Sequence, residues 1–555
     1  MKYDLEKIFL VTVFGVLLWA GAANLLDYRL DHEFPYGLMA SDAFQHQARA
    51  EGIKVEGNYR LEPFYISGGF KDAIGFYNPL MYHLGIVFSY VSGLETWDST
   101  YLLIFILGCL SALGMYLIIR GFNKNVAILS LPLMILIFAS KDGGPGPYAG
   151  FTWGVWPAYI GHFFLIAVFW VMANMEIKRS YVLLSIFLSG VALGHTSELI
   201  FAVLFIAIYL AADILMKRFD IKKLKNVIYA GAIFFVVSIY YLIIFKFTWG
   251  AVDEGIFSFS IEKTTLDPTF YLIDFKLTLI FIILGVIFSL LFIKKMPVAL
   301  VSGIFMLLIG TGNYYGFSRH AFRTKALWPI YLSVFFGLAI YQIGKFLIKK
   351  WKMRHSLITS LVLLILFMGL FSMPFIPQYK KFTSQGLMNR YNWEAFRWVK
   401  DNADIDASVL FLYGDAYGQN AILRNAERTS YLINSNNYAD ALNNKLVKRE
   451  YLIRLTGDHS GVRYAYRKSL FSYGYHLVED LNNTVTKDRD ICSFDYYVFD
   501  TSGRIQALAQ YNLLIKDILV KNDWIEEVFS NELTTIIKNN KPGQECIPDG
   551  GIRLE

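Results

Sequence analysis

Eleven apolar runs, most of them close to 20 residues long, limit what this chain can fold into more than any other feature of its sequence. A hydrocarbon layer of roughly 30 Å is crossed by a helix of about 20 apolar residues. The runs fall near 8–26, 99–119, 126–140, 151–175, 181–195, 196–215, 227–247, 270–293, 296–311, 326–347 and 356–376. They predict a polytopic α-helical membrane protein. The first run exceeds the h-region of a signal peptide and its flank carries Asp4 and Glu6, so it reads as an uncleaved anchor despite Ala20-Gly21-Ala22. A 55% share of hydrophobic residues over 555 positions excludes a cytosolic enzyme and intrinsic disorder.

Charge divides the chain. Residues 1–376 carry 30 Lys+Arg and 22 Asp+Glu, whereas residues 377–555 carry 22 and 23. The first part has membrane composition and the second that of a soluble domain. The basic excess sits in short loops, where it orients a membrane protein, and no basic face interleaved with aromatics suggests a nucleic-acid partner. Arg120/Lys124, Lys178/Arg179, Lys217 to Lys225, Lys294/Lys295 and Lys345 to Arg354 occupy every second connection, so those are expected inside. The alternate connections, residues 27–78 and the tail are then expected outside, in a multi-pass protein of the cell membrane. The alternation closes only if a shorter apolar run, 79–93, does not add a crossing.

Residues 27–78 form a first external loop in which the spacing from Asp42 to Glu51 predicts an interfacial amphipathic helix. The tail from 377 contains a helical pattern at Trp393–Val399 and strand patterns at Val409–Leu412, Asp495–Asp500 and Thr534–Lys538, which predict a small extracytoplasmic α/β domain. Cys492 and Cys546 lie in that tail, where a disulfide and two free thiols are both compatible with the sequence.

Carboxylates beside the spans on the outer side are the first candidates for chemistry, because acidic groups there are costly unless wet or paired. Asp42 opens the interfacial helix and His46 lies one turn on, on the same face; Ser41-Asp42 is also good helix-capping chemistry.

The stretch Ser41-Asp42-Ala-Phe-Gln-His46-Gln-Ala-Arg-Ala-Glu-Gly-Ile53, in the loop after one anchor helix, followed by Phe76-Tyr77-Asn78-Pro79-Leu80-Met-Tyr82-His83, resembles the opening of GT-C glycosyltransferases. That superfamily includes protein O-mannosyltransferases, the aminoarabinose transferase acting on lipid A, and oligosaccharyltransferases. The resemblance implies the GT-C fold with about 11–13 transmembrane helices, a polyprenyl (dolichyl-type) phosphate-linked sugar donor, and an essential acidic residue at the position of Asp42. It also implies that Asp142, in the turn-rich Lys141–Tyr148 segment, is a second acidic site residue, with a plain flexible turn as the alternative. The turn Gly194-His195-Thr196-Ser197-Glu198 is similar to a Leu-x-His turn of the superfamily; the His195 and Glu198 pair suits sugar hydroxyls or a divalent ion, and a capped turn is the plain alternative. Arg319-His320-Ala-Phe-Arg323-Thr-Lys325 is the one cationic cluster against the orienting pattern, and a lipid phosphate would compensate it; ordinary lipid head groups are the alternative.

A phosphate-linked sugar already has a good leaving group, so transfer needs a base for the acceptor hydroxyl and positive charge for the departing phosphate. The expected assignment is Asp42, half-buried at the interface, as the base of an inverting reaction. Arg319 and Arg323 would hold the phosphate, His320 and Lys325 would assist, and His46, Asp142, His195 and Glu198 would line the substrate site. No cofactor is assigned, and a divalent cation remains open. The acceptor would be a lipid-linked glycan, a surface polymer or a protein hydroxyl. The oligosaccharyltransferase tail motif Trp-Trp-Asp-Tyr-Gly does not occur, which favours transfer of a single sugar. A secondary transporter is the rival from another class, but no internal repeat supports it.

Overall fold

The computed structural model describes residues 5–26, 33–35, 37–38, 40–57, 63–69, 77–138, 149–249, 275, 278–292, 294–315, 318–351, 386–414, 417, 420–457, 463–467, 473–477, 485–501 and 506–554. The apolar runs fold as α1 (Leu5–Leu26), α4 (Thr96–Phe122), α5 (Lys124–Met134, extended by a 3-10 turn to Phe138), α6 (Trp156–Ala173), α7 (Ser180–Gly194), α8 (Thr196–Leu215), α9 (Ile221–Trp249), α10 (Thr278–Ser289), α11 (Val298–Gly310) and α13 (Ser333–Trp351, entered through a turn at Trp328–Tyr331). Between them lie α2 (Ser41–Glu56), α3 (Leu80–Ser92) and α12 (Ser318–Ala326). Ten of the eleven expected spans are thus helical, and the eleventh, 356–376, lies outside the described residues together with the expected boundary at 376/377. Five helical stretches among the described residues are long and apolar enough to cross a membrane: Thr96–Phe122, Trp156–Ala173, Thr196–Leu215, Ile221–Ile243 and Trp328–Lys349. The chain is a membrane protein.

Helix ends sort to two levels. At one, Glu6 of α1 binds Arg120 Nε at 2.6 Å and Lys124 Nζ at 2.5 Å. There too, Phe122 packs on Phe292 with ring centroids 5.2 Å apart, and Arg218 donates to the carbonyls of Lys294 and Lys295. These are the connections expected inside. Asn123 makes the tight reversal between α4 and α5 by accepting, through Oδ1, the N–H groups of Asn125 and Val126. At the opposite level, Pro157 and Pro329 stand in the first turns of their helices, where proline's missing N–H costs nothing.

Helix α3 settles the alternation. Near its start, Tyr82 meets His46 of α2 and Asn78 donates to the Ala192 carbonyl at 2.5 Å; at its end, Lys54 of α2 reaches Ser89 and Thr96. Both ends therefore lie beside α2 at the same level, and α3 adds no crossing.

The tail forms a seven-stranded sheet of β1 (Ser408–Leu412), β2 (Thr429–Ile433), β3 (Glu450–Leu455), β4 (Thr486–Asp490), β5 (Tyr496–Asp500), β6 (Ile525–Ser530) and β7 (Thr534–Asn539), in the order β4-β3-β2-β1-β5-β7-β6. The central β1 runs parallel to β2 and β5, and the other pairs are antiparallel. Val409, Leu410, Phe411 and Leu412 are all fully buried because helices cover both faces: α14 (Arg390–Asn402) sets Phe396 on Phe411, and α15 (Gln506–Leu519) packs Ile515 among the residues of the other face. Cys492 and Cys546 are joined in a disulfide across 54 residues. Closing a loop of that length stabilises the folded domain by about 4 kcal/mol. Reductant is expected to lower the free energy of unfolding of this domain by that order, followed by denaturant titration with and without reductant; superimposable curves would disprove it.

The sheet domain sits against α2. Asn425 Nδ2 donates to the Phe44 carbonyl at 3.3 Å, and the Leu387 N–H donates to the Leu38 carbonyl at 2.9 Å. Trp393 meets Trp97 edge to face at 5.3 Å, and Arg397 lies 3.6 Å from Glu95. The first external loop is therefore held from above by the tail and from below by the helical bundle.

Candidate active site

Asp42 stands one residue inside α2; the N-cap position belongs to Ala40, whose backbone is extended. Its side chain is exposed, not half-buried as expected, because α2 turns that edge away from the bundle. The neighbouring Ala43 and Phe44 are fully buried. Gly154 fixes this end of α2: it has φ +85°, and a Cβ there would lie 2.3 Å from the Ala43 amide nitrogen. Only glycine tolerates both the conformation and the approach.

One turn below, His46 is 5% exposed. Its Nδ1 lies 2.8 Å from the Tyr82 hydroxyl, and Tyr77, Tyr82 and Trp156 surround the ring. Burial pushes its pKa down to about 3, helped by the positive charges of Arg49 and Arg323. His46 is therefore a neutral wall of the site. The unfolded chain takes up this proton near pH 6.5, so the stability His46 contributes is complete above that pH and is lost as pH falls from 6.5 towards 3. A His46→Gln protein is expected to lose less thermal stability than the parent between pH 6.5 and about pH 4. Parallel pH profiles of the two midpoints would rule this out.

The turn between α7 and α8 brings the second group. Arg323 Nη1, on α12, lies 2.9 Å from His195 Nε2. A guanidinium only donates, so Nε2 accepts and the ring proton sits on Nδ1, which donates to Glu198 Oε2. Glu198 is fully buried; its other oxygen, Oε1, faces Nε2 of the equally buried His162 at 3.3 Å, without an aligned hydrogen bond on either atom. His162 Nδ1 meets the Tyr331 hydroxyl at 2.9 Å. The result is a file of polar groups running from Arg323 at the mouth to Tyr331 inside the bundle. Gly161 makes room for it, since a Cβ there would lie 2.9 Å from Glu198 Oε2. Thr196 donates to Asn78 Oδ1 at 3.2 Å, which ties the turn to the Tyr77-Asn78-Pro79 segment.

The expected residues thus divide. His46, His195, Glu198 and Arg323 share one electrostatic neighbourhood, in which His46 lies one turn of α2 from Asp42. Lys325, two residues past Arg323 on a helix, points elsewhere: it is buried, its Nζ lies 5.9 Å from the Tyr314 ring centroid, and burial lowers its pKa to about 8. Arg319 and His320 lie in the first turn of α12, but their side chains and all of Asp142 fall outside the described residues. Among the described residues no three His, Cys, Asp or Glu side chains are arranged to hold a metal ion. Sequence reasoning passed over His162 and Tyr331. The available signal was a histidine inside an apolar run, since an ionisable residue at membrane depth marks function by default.

No family model matches the sequence, and no curated protein matches it. Solved structures do. ArnT from Cupriavidus metallidurans bound to undecaprenyl phosphate is 10% identical, covers 97% of this chain and 98% of that one, and gives a TM-score of 0.54. The chain has the GT-C glycosyltransferase fold. A second GT-C structure, the archaeal oligosaccharyltransferase AglB from Archaeoglobus fulgidus with an inhibitory peptide and a dolichol-phosphate, is 11% identical over 94% of this chain and 82% of that one, with a TM-score of 0.52. The apo Archaeoglobus fulgidus oligosaccharyltransferase aligns at 12% identity and a TM-score of 0.52 over 77% of this chain, which spans only 64% of its length.

Proposed function

We propose that the protein is an integral-membrane glycosyltransferase that moves one sugar from a polyprenyl-phosphate donor to an acceptor hydroxyl on the outer face of the membrane. The observation that carries this reading is an exposed carboxylate, Asp42, on a clamped interfacial helix beside a cationic mouth containing Arg323, within the GT-C fold. Two GT-C neighbours bind undecaprenyl phosphate and dolichol-phosphate, which supports a lipid phosphate as donor. A buried disulfide in the sheet domain supports an extracytoplasmic tail.

In this reading Asp42 takes the proton of the acceptor hydroxyl as its oxygen attacks the anomeric carbon. The bond from that carbon to the phosphate oxygen breaks, the electron pair leaves with the lipid phosphate, and Arg323 stabilises the charge that develops there. Attack opposite the leaving phosphate inverts the anomeric centre. His46 and the residues around it exclude water. Transfer of a whole glycan is the rival, since two structural neighbours are oligosaccharyltransferases. Coverage of 98% of ArnT, against 82% and 64% of the two oligosaccharyltransferases, favours the single-sugar reading.

The purified protein, supplied with radiolabelled polyprenyl-phosphate hexoses and pentoses and a membrane extract as acceptor, is expected to consume one of them and release polyprenyl phosphate. Consumption of none, with lipid-pyrophosphate glycan consumed in their place, would transfer the assignment to the rival.

A further inference from the structure

The file Arg323–His195–Glu198–His162 contains one more consequence, which rests on the donor reading above. Glu198 is a fully buried carboxylate in the first turn of α8, with one oxygen accepting from His195 Nδ1 and the other left without an aligned partner. His195 Nε2 accepts from Arg323, which leaves that ring neutral, and among the described residues Arg323 is the guanidinium that acts on this anion, through the His195 ring. A buried charge that loses its counter-charge is costly. A donor phosphate at the mouth competes for the same guanidinium, because Arg pairs with phosphate through two parallel hydrogen bonds.

We propose that His195 is a second, proton-carrying ligand of the donor phosphate: when Arg323 turns from His195 Nε2 to the phosphate, Nε2 binds one proton from solvent and the resulting imidazolium, held by Glu198, faces the phosphate beside Arg323. Charge then balances on both sides of the exchange. Before binding, Glu198 is matched by Arg323. After binding, Glu198 is matched by the His195 imidazolium, and Arg323 by the phosphodiester. Among the described residues, the other ionisable groups acting on this ring are His46 from α2, neutral by burial, and His162 from α6, whose Nδ1 meets the Tyr331 hydroxyl. Neither supplies a competing anion. The arrangement assigns Glu198 a positioning role, with His162 Nε2 3.3 Å from its second oxygen.

The test uses the intact protein in detergent and methyl farnesyl phosphate, a phosphodiester that does not itself titrate near neutral pH. Calorimetric titrations at about pH 7.5 in phosphate-free buffers of different ionisation enthalpy report protons exchanged per ligand bound. Wild-type protein is expected to take up about one proton per probe, and His195→Gln to bind several-fold more weakly with no uptake. Binding without proton uptake in the wild type, or equal uptake in His195→Gln, overturns the proposal and leaves the donor reading intact. No binding by the wild type overturns both. A Tyr331→Phe variant, which leaves His195, Glu198 and Arg323 in place, is expected to retain uptake; its loss there would assign the proton to His162 and overturn the role of His195.

Discussion

Asp42→Asn is expected to give a protein that inserts, purifies and melts as the parent does and transfers sugar about 10²–10⁴-fold more slowly, the usual worth of a positioned general base. The physical grounds are specific to its position. Asp42 is exposed on a helix whose next two residues are buried, and the Gly154 contact holds its backbone, so the amide changes charge without disturbing packing. The loss is expected in kcat with KM for the donor little changed, because the carboxylate acts on the acceptor. Initial rates at saturating donor measure it, with circular dichroism as the control for folding. Wild-type turnover by Asp42→Asn would remove Asp42 from the chemistry and direct attention to Asp142.

Arg323→Ala is expected to reduce kcat/KM for the donor by about 10²–10³-fold, the loss found when one donor to a developing oxyanion is removed. Arg323→Lys is expected to recover only part of it, because an ammonium keeps the charge and loses the planar fork. Competition by added farnesyl phosphate supplies the affinity. If Arg323→Ala binds the lipid phosphate as tightly as the parent does, the phosphate lies elsewhere on α12, with Arg319 the next residue to replace.

Much of the fold is written locally. Apolar runs near 20 residues can satisfy their backbone in lipid only as helices, so their positions follow from counting. Val409–Leu412 reads as a buried strand because a parallel central strand is covered on both faces. The Lys and Arg alternation assigned connections to two levels, and the ion pairs of Glu6 with Arg120 and Lys124 lie at the level expected. The run 79–93 was ambiguous because 13 residues of helix neither span nor avoid a bilayer by length. Its fate depends on Asn78, Tyr82 and Ser89 meeting partners from α2 and α7, and such pairings have no sequence signal.

The candidate site was legible in its parts and not in its assembly. Asp42, His195, Glu198 and Arg323 stand out by type and by their place beside apolar runs. Their gathering, the exposure of Asp42, and the turning of Lys325 towards Tyr314 depend on helix rotation, which an apolar run does not encode when lipid and protein neighbours are equally apolar. For the same reason His162 looked like one polar residue in a span until α6 and α8 were packed together with Gly161 at the contact. The sequence by itself determined how many apolar segments there are, which ends carry the orienting charge, and that a soluble domain follows. Tertiary structure alone decided which faces of those segments meet, because the identity of a buried neighbour depends on the rotation of each helix about its own axis.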